Sequence, residues 1–102
     1  MIFGLVVTDK RHAAHATGLL AAAAQRGWDA RCFLTDSGVC LVEDPAFLEG
    51  ARLRPLSVAV CQHSLDHFVP GFDTASIKPF VVVGGQFQGA KLAQASQSLM
   101  VL

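Results

Sequence analysis

Residues 2–7, IFGLVV, form an unbroken apolar run near the start of the chain. Strands that are covered on both faces, as in a parallel sheet between helices, have continuous apolar runs of this kind. Thr8 and Asp9 follow directly, and either side chain can cap a helix. The stretch from Lys10 to Arg26, rich in alanine and leucine, predicts that helix, with Gly27 as its C-terminal glycine. The opening is therefore typical of a strand–helix unit.

Apolar segments and helical segments continue to alternate along the rest of the chain. Strands that alternate with helices favour right-handed crossovers and a largely parallel sheet. We expect an α/β fold, a three-layer α/β/α sandwich with a mainly parallel sheet of about five strands, in a single domain over residues 1–102. After the first helix the sequence predicts strands at 29–35, 55–61, 80–83 and 99–102, and helices at 44–51, 62–68 and 86–97.

The composition is poor in charge. Charged residues make up 16% of the chain and hydrophobic residues 52%, whereas charged residues are roughly 25% of an average soluble domain. A small domain has much surface for its size, so this composition predicts that other subunits cover part of the surface. We therefore expect a homo-oligomer.

Charge balance and cysteine content narrow the function classes. Eight basic residues balance eight acidic ones, without a basic cluster, so no nucleic-acid partner is expected. No signal peptide precedes the first strand, and no apolar run approaches the ~18 residues of a membrane span, so no membrane partner is expected. Three cysteines, an odd number without framework spacing, are typical of free thiols. These features predict a cytoplasmic location.

The strand ends indicate where a site would lie. In open parallel sheets, ligands bind beyond the carboxyl ends of the strands. The third predicted strand ends at Cys61, within the stretch VAVCQHSLDHF of residues 58–68. The first two strands end at Thr8-Asp9 and Thr35-Asp36. We expect the pocket around Cys61 to be formed by Thr8, Asp9, Asp36, Gly38, Gln62 and Ser64.

Cys61 is a candidate nucleophile. The thiolate is the attacking species, so a reactive site must lower a pKa that is ~8.5 in a free cysteine. Cys61 directly precedes the helix predicted at 62–68, whose first free amide groups favour negative charge. A protonated His63 would lower the pKa further. Cys61, His63 and His67 are the predicted catalytic residues.

Two other interpretations of the same stretch stay open. His63 and His67 are four residues apart and would share one face of a helix, where they could bind a metal ion together with Cys61. That site lacks the glutamate of the HExxH signature and would need a further ligand, such as His12 or His15. Alternatively, Cys61 is an inert, buried residue at a strand end. No metal and no cofactor are predicted.

The remaining cysteines and the glycine turns have structural interpretations. Cys32 alternates with buried positions of its strand and is expected in the core, whereas Cys40 is expected to be half exposed. Cys40 could also resolve an oxidised Cys61. In the turn Asp36-Ser37-Gly38 we expect the glycine to supply a positive φ and the aspartate to bond its own backbone. Gly84-Gly85 lacks the spacing of a phosphate-binding loop and predicts a tight turn.

The whole pattern resembles the DsrE/DsrF-like sulfur-relay family, which includes YchN-like and Tus-type proteins. The resemblance spans nearly the full chain and rests on four segments. The alanine-rich helix precedes RGWDARCFLTDSGV, whose DSG turn has one residue more than the family's DG turn. After Cys61 the family often has small residues and an Arg-Gly pair, whereas this chain has QHSLDHFVPG. The other three segments are IFGLVVT, LSVAVC and the closing GGQFQGAKLAQASQSLMVL.

The resemblance implies an activity and an assembly. It implies a homo-oligomer, a trimer or hexamer, with the cysteine near a subunit interface. It further implies that Cys61 accepts a persulfide sulfur from a donor protein and passes it to an acceptor protein. His63 or His67 would supply positive charge or shuttle a proton. The alternative is a non-catalytic oligomeric domain of the same fold that binds a small ligand or regulates a partner, with the histidines lining its pocket.

Overall fold

The computed structural model describes all 102 residues and contains one five-stranded sheet. All strand pairs are parallel, in the order β4-β3-β2-β1-β5, and helices flank the sheet. The predicted α/β class and parallel sheet are confirmed. No helix is both long and apolar enough to cross a membrane.

The strands are β1 (Ile2–Val7), β2 (Asp29–Leu34), β3 (Val58–Cys61), β4 (Val81–Gly84) and β5 (Ser98–Val101). The helices are α1 (Ala13–Gln25), α2 (Pro45–Leu53), α3 (Gln62–Phe68) and α4 (Gln86–Ala95).

The first strand–helix unit forms as its sequence predicts. The Asp9 carboxylate accepts a hydrogen bond from the Arg11 amide and caps a 3₁₀ turn, Lys10–His12, that leads into α1. Gly27 follows α1 with φ of 78°, a conformation that glycine adopts without steric cost. The chain then enters β2 beside β1, with Ile2 opposite Asp29.

The larger core lies on the face of the sheet that α1 and α2 cover. It contains 21 buried residues, including side chains from β1, β2 and β3 and residues of α3. Cys32 belongs to this core, and Cys40 is half-buried at its margin, as predicted for both. This face carries most of the apolar burial that stabilises the fold.

The opposite face is covered by α4 alone. Its small core consists of Phe33, Cys61 and Leu92. The helix approaches the sheet closely at Gly89, where an added Cβ would lie 2.9 Å from atoms of the Phe33 ring. One helix across five strands leaves part of this face open.

The segment between β2 and α2 differs from its prediction. Residues Asp36–Glu43 form a 3₁₀ helix, and the positive φ belongs to Asp36 at 49°, whereas Gly38 does not have one. Gly38 is needed because it lies against the backbone of Val7, where a Cβ would overlap the carbonyl oxygen. The predicted conformational role of Gly38 was therefore wrong: the position requires close approach to β1.

A tight turn shortens β3, which begins at Val58 and not at Pro55 as predicted. The Ser57 amide donates to the Arg54 carbonyl at 3.1 Å, Pro55 follows Arg54, and Leu56 has φ of 64°. These are features of a type II turn, whose third residue is usually glycine or asparagine. Leu56 is 63% exposed, so burial of its side chain offsets little of the free-energy cost of this backbone conformation.

We predict that Leu56→Gly stabilises the protein by about 1 kcal/mol. The left-handed conformation costs a non-glycine residue roughly 1–2 kcal/mol, and the greater freedom of glycine in the unfolded chain offsets part of the gain. Urea denaturation followed by circular dichroism measures the change. Leu56→Ala keeps the Cβ and is the control that should show no such gain; equal stabilisation by both variants would contradict the prediction.

Candidate functional site

Cys61 is the last residue of β3 and lies at the carboxyl edge of the sheet. It directly precedes α3, and its side chain points to the face that α4 covers. Phe33 and Leu92 pack against it, and only 2% of the residue is exposed. The thiol is therefore held in an apolar setting whose polar contacts all come from a few neighbouring groups.

Gln86, the first residue of α4, connects the thiol to the end of β2. Its side-chain amide donates to Cys61 Sγ at 3.5 Å and to Thr35 Oγ1 at 2.9 Å. Because β4 and β2 are the two neighbours of β3, the residues that follow them lie on either side of Cys61. The amide is thus held by Thr35 with one N–H available to the sulfur.

Ser64 supplies a second polar side chain to the site from α3. It is buried, and its Oγ accepts a hydrogen bond from the Asp36 amide at 3.0 Å. The same oxygen lies 3.5 Å from Thr35 Oγ1. Since the hydroxyl oxygen already accepts from the backbone, its proton is free to be donated within the site.

These contacts favour the thiolate. Burial by itself raises the pKa of Cys61, but polar groups near the sulfur, namely the backbone and hydroxyl of Ser64, the Gln86 amide and the backbone of His63, lower it by more. Among these groups, the Gln86 amide is the one that donates a hydrogen bond to Sγ. The net result is a pKa below the ordinary value of a cysteine. All these groups are neutral, so dipoles stabilise the negative sulfur without an ion pair.

Neither of the two predicted catalytic histidines contacts the thiol through a side-chain hydrogen bond. His63 and His67 are both exposed on α3. The His67 ring packs edge-on against Phe68, with ring centroids 4.7 Å apart. His63 contributes to the thiol through its backbone amide. No group of three or more His, Cys, Asp or Glu side chains is close enough to hold a metal ion.

Four of the predicted pocket residues fall into two pairs. Ser64 lies near Cys61 and accepts from the Asp36 amide, whereas Thr8 and Asp9 follow the end of β1. The Thr8 hydroxyl donates to the Leu102 carbonyl at 2.8 Å. Asp9 pairs with Arg11 at 2.6 Å; this hydrogen bond lowers the pKa of Asp9 to about 2.

Gly38 and Gln62 have structural contacts. Gly38 packs on β1, as described above. The Gln62 amide donates to Asp66 Oδ1 at 2.8 Å along the surface of α3. Neither contact reaches the thiol.

The other cysteines lack this environment. Cys32 is fully enclosed in the larger core, and burial raises the pKa of its thiol far above the ordinary value. Cys40 is half-buried and unpaired. The chain thus holds three free thiols, and Cys61 is the one whose pKa is lowered by its neighbouring groups.

A groove lies beside α4, and Cys61 does not line it. Its volume is about 460 Å³, and none of the predicted site residues lines it. Phe33, Ala59 and Leu92 line the groove and also pack against Cys61, so the two features share one apolar wall. Lys91 and Gln88 provide polar groups at its side.

Gln86 is the site residue that the sequence did not indicate; Thr35 was predicted only as the end of the second strand. Gln86 directly follows the turn after the fourth strand, which was interpreted only as a tight turn. Ligands bind beyond the carboxyl ends of parallel strands, and this rule applies to the end of β4 as it does to Cys61 at the end of β3. The rule could have indicated Gln86 if the position of β4 beside β3 had been known.

A scan of the chain against protein-family models gives no match. A search of curated protein sequences gives no match either.

We predict that Gln86→Ala raises the pKa of Cys61, because the variant removes one of the donors that stabilise the thiolate. The rate of labelling by iodoacetamide, followed against pH with peptide mapping, reports this pKa. In the wild type the rate should reach half its maximum below the ~8.5 of a free cysteine, and in the variant at a higher pH.

Gln88→Ala is the matched control for this measurement. Gln88 lies on the same helix but makes no hydrogen bond to Cys61. Identical pH profiles for all three proteins would show that the Gln86 amide does not stabilise the thiolate. Cys32 should label only after unfolding.

Proposed function

We propose that the protein is a sulfur carrier that holds a persulfide on Cys61 and hands its outer sulfur to a partner protein. One observation carries the proposal: the Gln86 amide of α4 donates to Cys61 Sγ, and together with the polar groups at the start of α3 it lowers the pKa of this thiol against the effect of burial. A carrier needs one thiol that is more nucleophilic than the others, and burial keeps Cys32 in its unreactive thiol form by raising its pKa. The resemblance to the DsrE/DsrF-like sulfur-relay family points to the same residue.

The loading step exchanges one sulfur–sulfur bond for another. The Cys61 thiolate attacks the outer sulfur of a donor persulfide, R–S–S–H. The bond between the donor's two sulfurs breaks, R–S⁻ leaves with the electron pair, and Cys61–S–S–H forms with the proton retained on the outer sulfur. No external oxidant or reductant is consumed.

The unloading step is the same type of exchange, with Cys61 now as the leaving group. An acceptor thiolate attacks the outer sulfur of Cys61–S–S–H, and Cys61 leaves as the thiolate. The groups that lower the pKa of Cys61 also make it a better leaving group. Ser64, Gln86 and the His63 backbone therefore support both halves of the transfer.

Access to the thiol depends on Gln86. Cys61 is 2% exposed, whereas Gln86 lies over it and is itself exposed. A rotation of the Gln86 side chain would open the sulfur from the carboxyl edge and leave α4 in place. His63 and His67, exposed on α3 nearby in the chain, would contact an incoming donor or acceptor at the rim.

The proposal predicts that the wild-type protein gains one sulfur when it is incubated with a small-molecule hydropersulfide. Intact mass spectrometry measures the added mass, which reductant should remove. Cys61→Ser should reduce the adduct to background because the attacking thiolate is absent. Circular dichroism verifies that the variant is folded.

Cys40→Ser is the matched control, since it removes the more accessible of the other two thiols. It should retain the full adduct. An adduct that persists in Cys61→Ser, or a folded wild type that gains no sulfur, would contradict the proposal.

The groove beside α4 supports a second candidate function, binding of a small ligand. Its volume falls within the roughly 300–1,000 Å³ of small-molecule sites. Apolar residues of β3, β4 and α4 line it, and Lys91 favours an anionic group. Titration with 1-anilinonaphthalene-8-sulfonate, an apolar anion, tests this function; Lys91→Glu should weaken binding, and unchanged affinity would exclude a role for that cation.

A further inference from the structure

Strand β5 is an open edge of the sheet. It pairs on one side with β1, and all four of its residues are exposed. Three of them are apolar: Leu99 is 44% exposed, Met100 41% and Val101 61%. The opposite edge strand, β4, is buried or half-buried at every position. The sheet therefore has one fully exposed edge.

This edge lacks the features with which proteins prevent strand pairing. Exposed edges are usually protected by charged side chains, proline or a bulge. Residues 92–102 contain neither a charged residue nor a proline, and β5 continues its register with β1 without a bulge. The chain also has no formal net charge at pH 7, so two copies do not repel each other strongly.

We propose that β5 pairs antiparallel with β5 of a second copy of this chain, which joins the two sheets into one of ten strands. The occupant is a second copy because each copy offers one open apolar edge, and a two-fold axis satisfies both edges at once. Such an interface is closed and does not propagate into a fibre. It also accounts for the low charge of the composition.

The hydrogen bonds of β5 to β1 determine which backbone groups of β5 are free to bind a second copy. The Leu102 amide donates to the Val6 carbonyl at 2.8 Å, and the Leu102 carbonyl accepts from the Thr8 amide at 2.7 Å. Backbone groups alternate in direction along a strand, so residues 98, 100 and 102 face β1 and residues 99 and 101 face outward. The free donors and acceptors of the edge are those of Leu99 and Val101.

Among the two-fold registers, the one centred on Met100 pairs all of these free groups, and it places Leu99 of one copy opposite Val101 of the other. The two-fold axis creates two such Leu99–Val101 pairs, and each pair exchanges two backbone hydrogen bonds. The interface therefore has four backbone hydrogen bonds. Met100 meets Met100 of the second copy at the centre as a pair without mutual hydrogen bonds, with Cα atoms about 4.5 Å apart. Side chains on both faces of the edge are covered by the partner strand.

The interface is small. Four residues on each side bury less than the ~800 Å² per partner of a standard interface, so we expect dissociation at about micromolar concentrations. β3 lies three strands from β5, and antiparallel pairing points the two carboxyl edges in opposite directions. The two Cys61 thiols are thus far apart, and the dimer does not depend on the proposed sulfur chemistry.

Cysteine substitution tests the register. In a Cys40→Ser/Cys61→Ser background, Met100→Cys should form a disulfide-linked dimer when it is treated with oxidised glutathione, because the like residues are opposite each other. Val101→Cys should not, although residue 101 is more exposed, since its two copies are offset by two residues and exceed the ~7 Å limit for Cα atoms. Equal cross-linking of both variants, or of neither, would overturn the proposal.

Sedimentation velocity between about 1 and 100 μM tests the assembly without a cross-link. The wild type should be dimeric at the upper end, and Met100→Lys should be monomeric throughout because it brings two like charges together. Leu53→Lys is the control: Leu53 is 76% exposed but lies on α2, so the dimer should persist. A monomeric wild type, or a Met100→Lys variant that assembles as the wild type does, would overturn the proposal.

Discussion

The common direction of the five strands is the constraint on which the rest of the structure depends. Parallel strands cannot be joined by a tight turn, so each connection must cross a face of the sheet and return to the opposite edge. The residues that end β2 and β3 and the residue that begins α4 therefore meet at one edge. Thr35, Cys61 and Gln86 are far apart in sequence and become neighbours for this reason.

The two faces of the sheet are covered unequally: one face holds most of the buried apolar residues that stabilise the fold, and the candidate site lies on the other. One face carries the 21-residue core, while the other has three buried residues beneath α4. Cys61 lies in the smaller cluster, next to an open groove and under an exposed side chain. A thiol in the larger core, such as Cys32, is enclosed by apolar groups, and its thiolate is disfavoured.

Local sequence patterns predicted the elements well because apolar runs and caps act over a few residues. They predicted Cys61 at a strand end, with Ser64 one turn later. They could not predict that the His63 and His67 side chains are exposed, because the burial of Ser64 and Leu65 in the folded chain determines how α3 is rotated. Buried Leu65 is two residues from each histidine, which is about 200° around a helix of 3.6 residues per turn. Gln86 required the order of the strands, which no local pattern contains.

The neutrality of the groups around Cys61 bears on what the thiol can do. A cationic neighbour would lower the pKa further, but the nucleophilicity of a thiolate falls with its pKa, and the best attacking thiol has a pKa near the ambient pH. Hydroxyl, amide and backbone donors lower the pKa against the opposing effect of burial without adding a fixed charge. In the proposed transfer, Cys61 must both accept sulfur and release it, and tight stabilisation of either state would slow the other step.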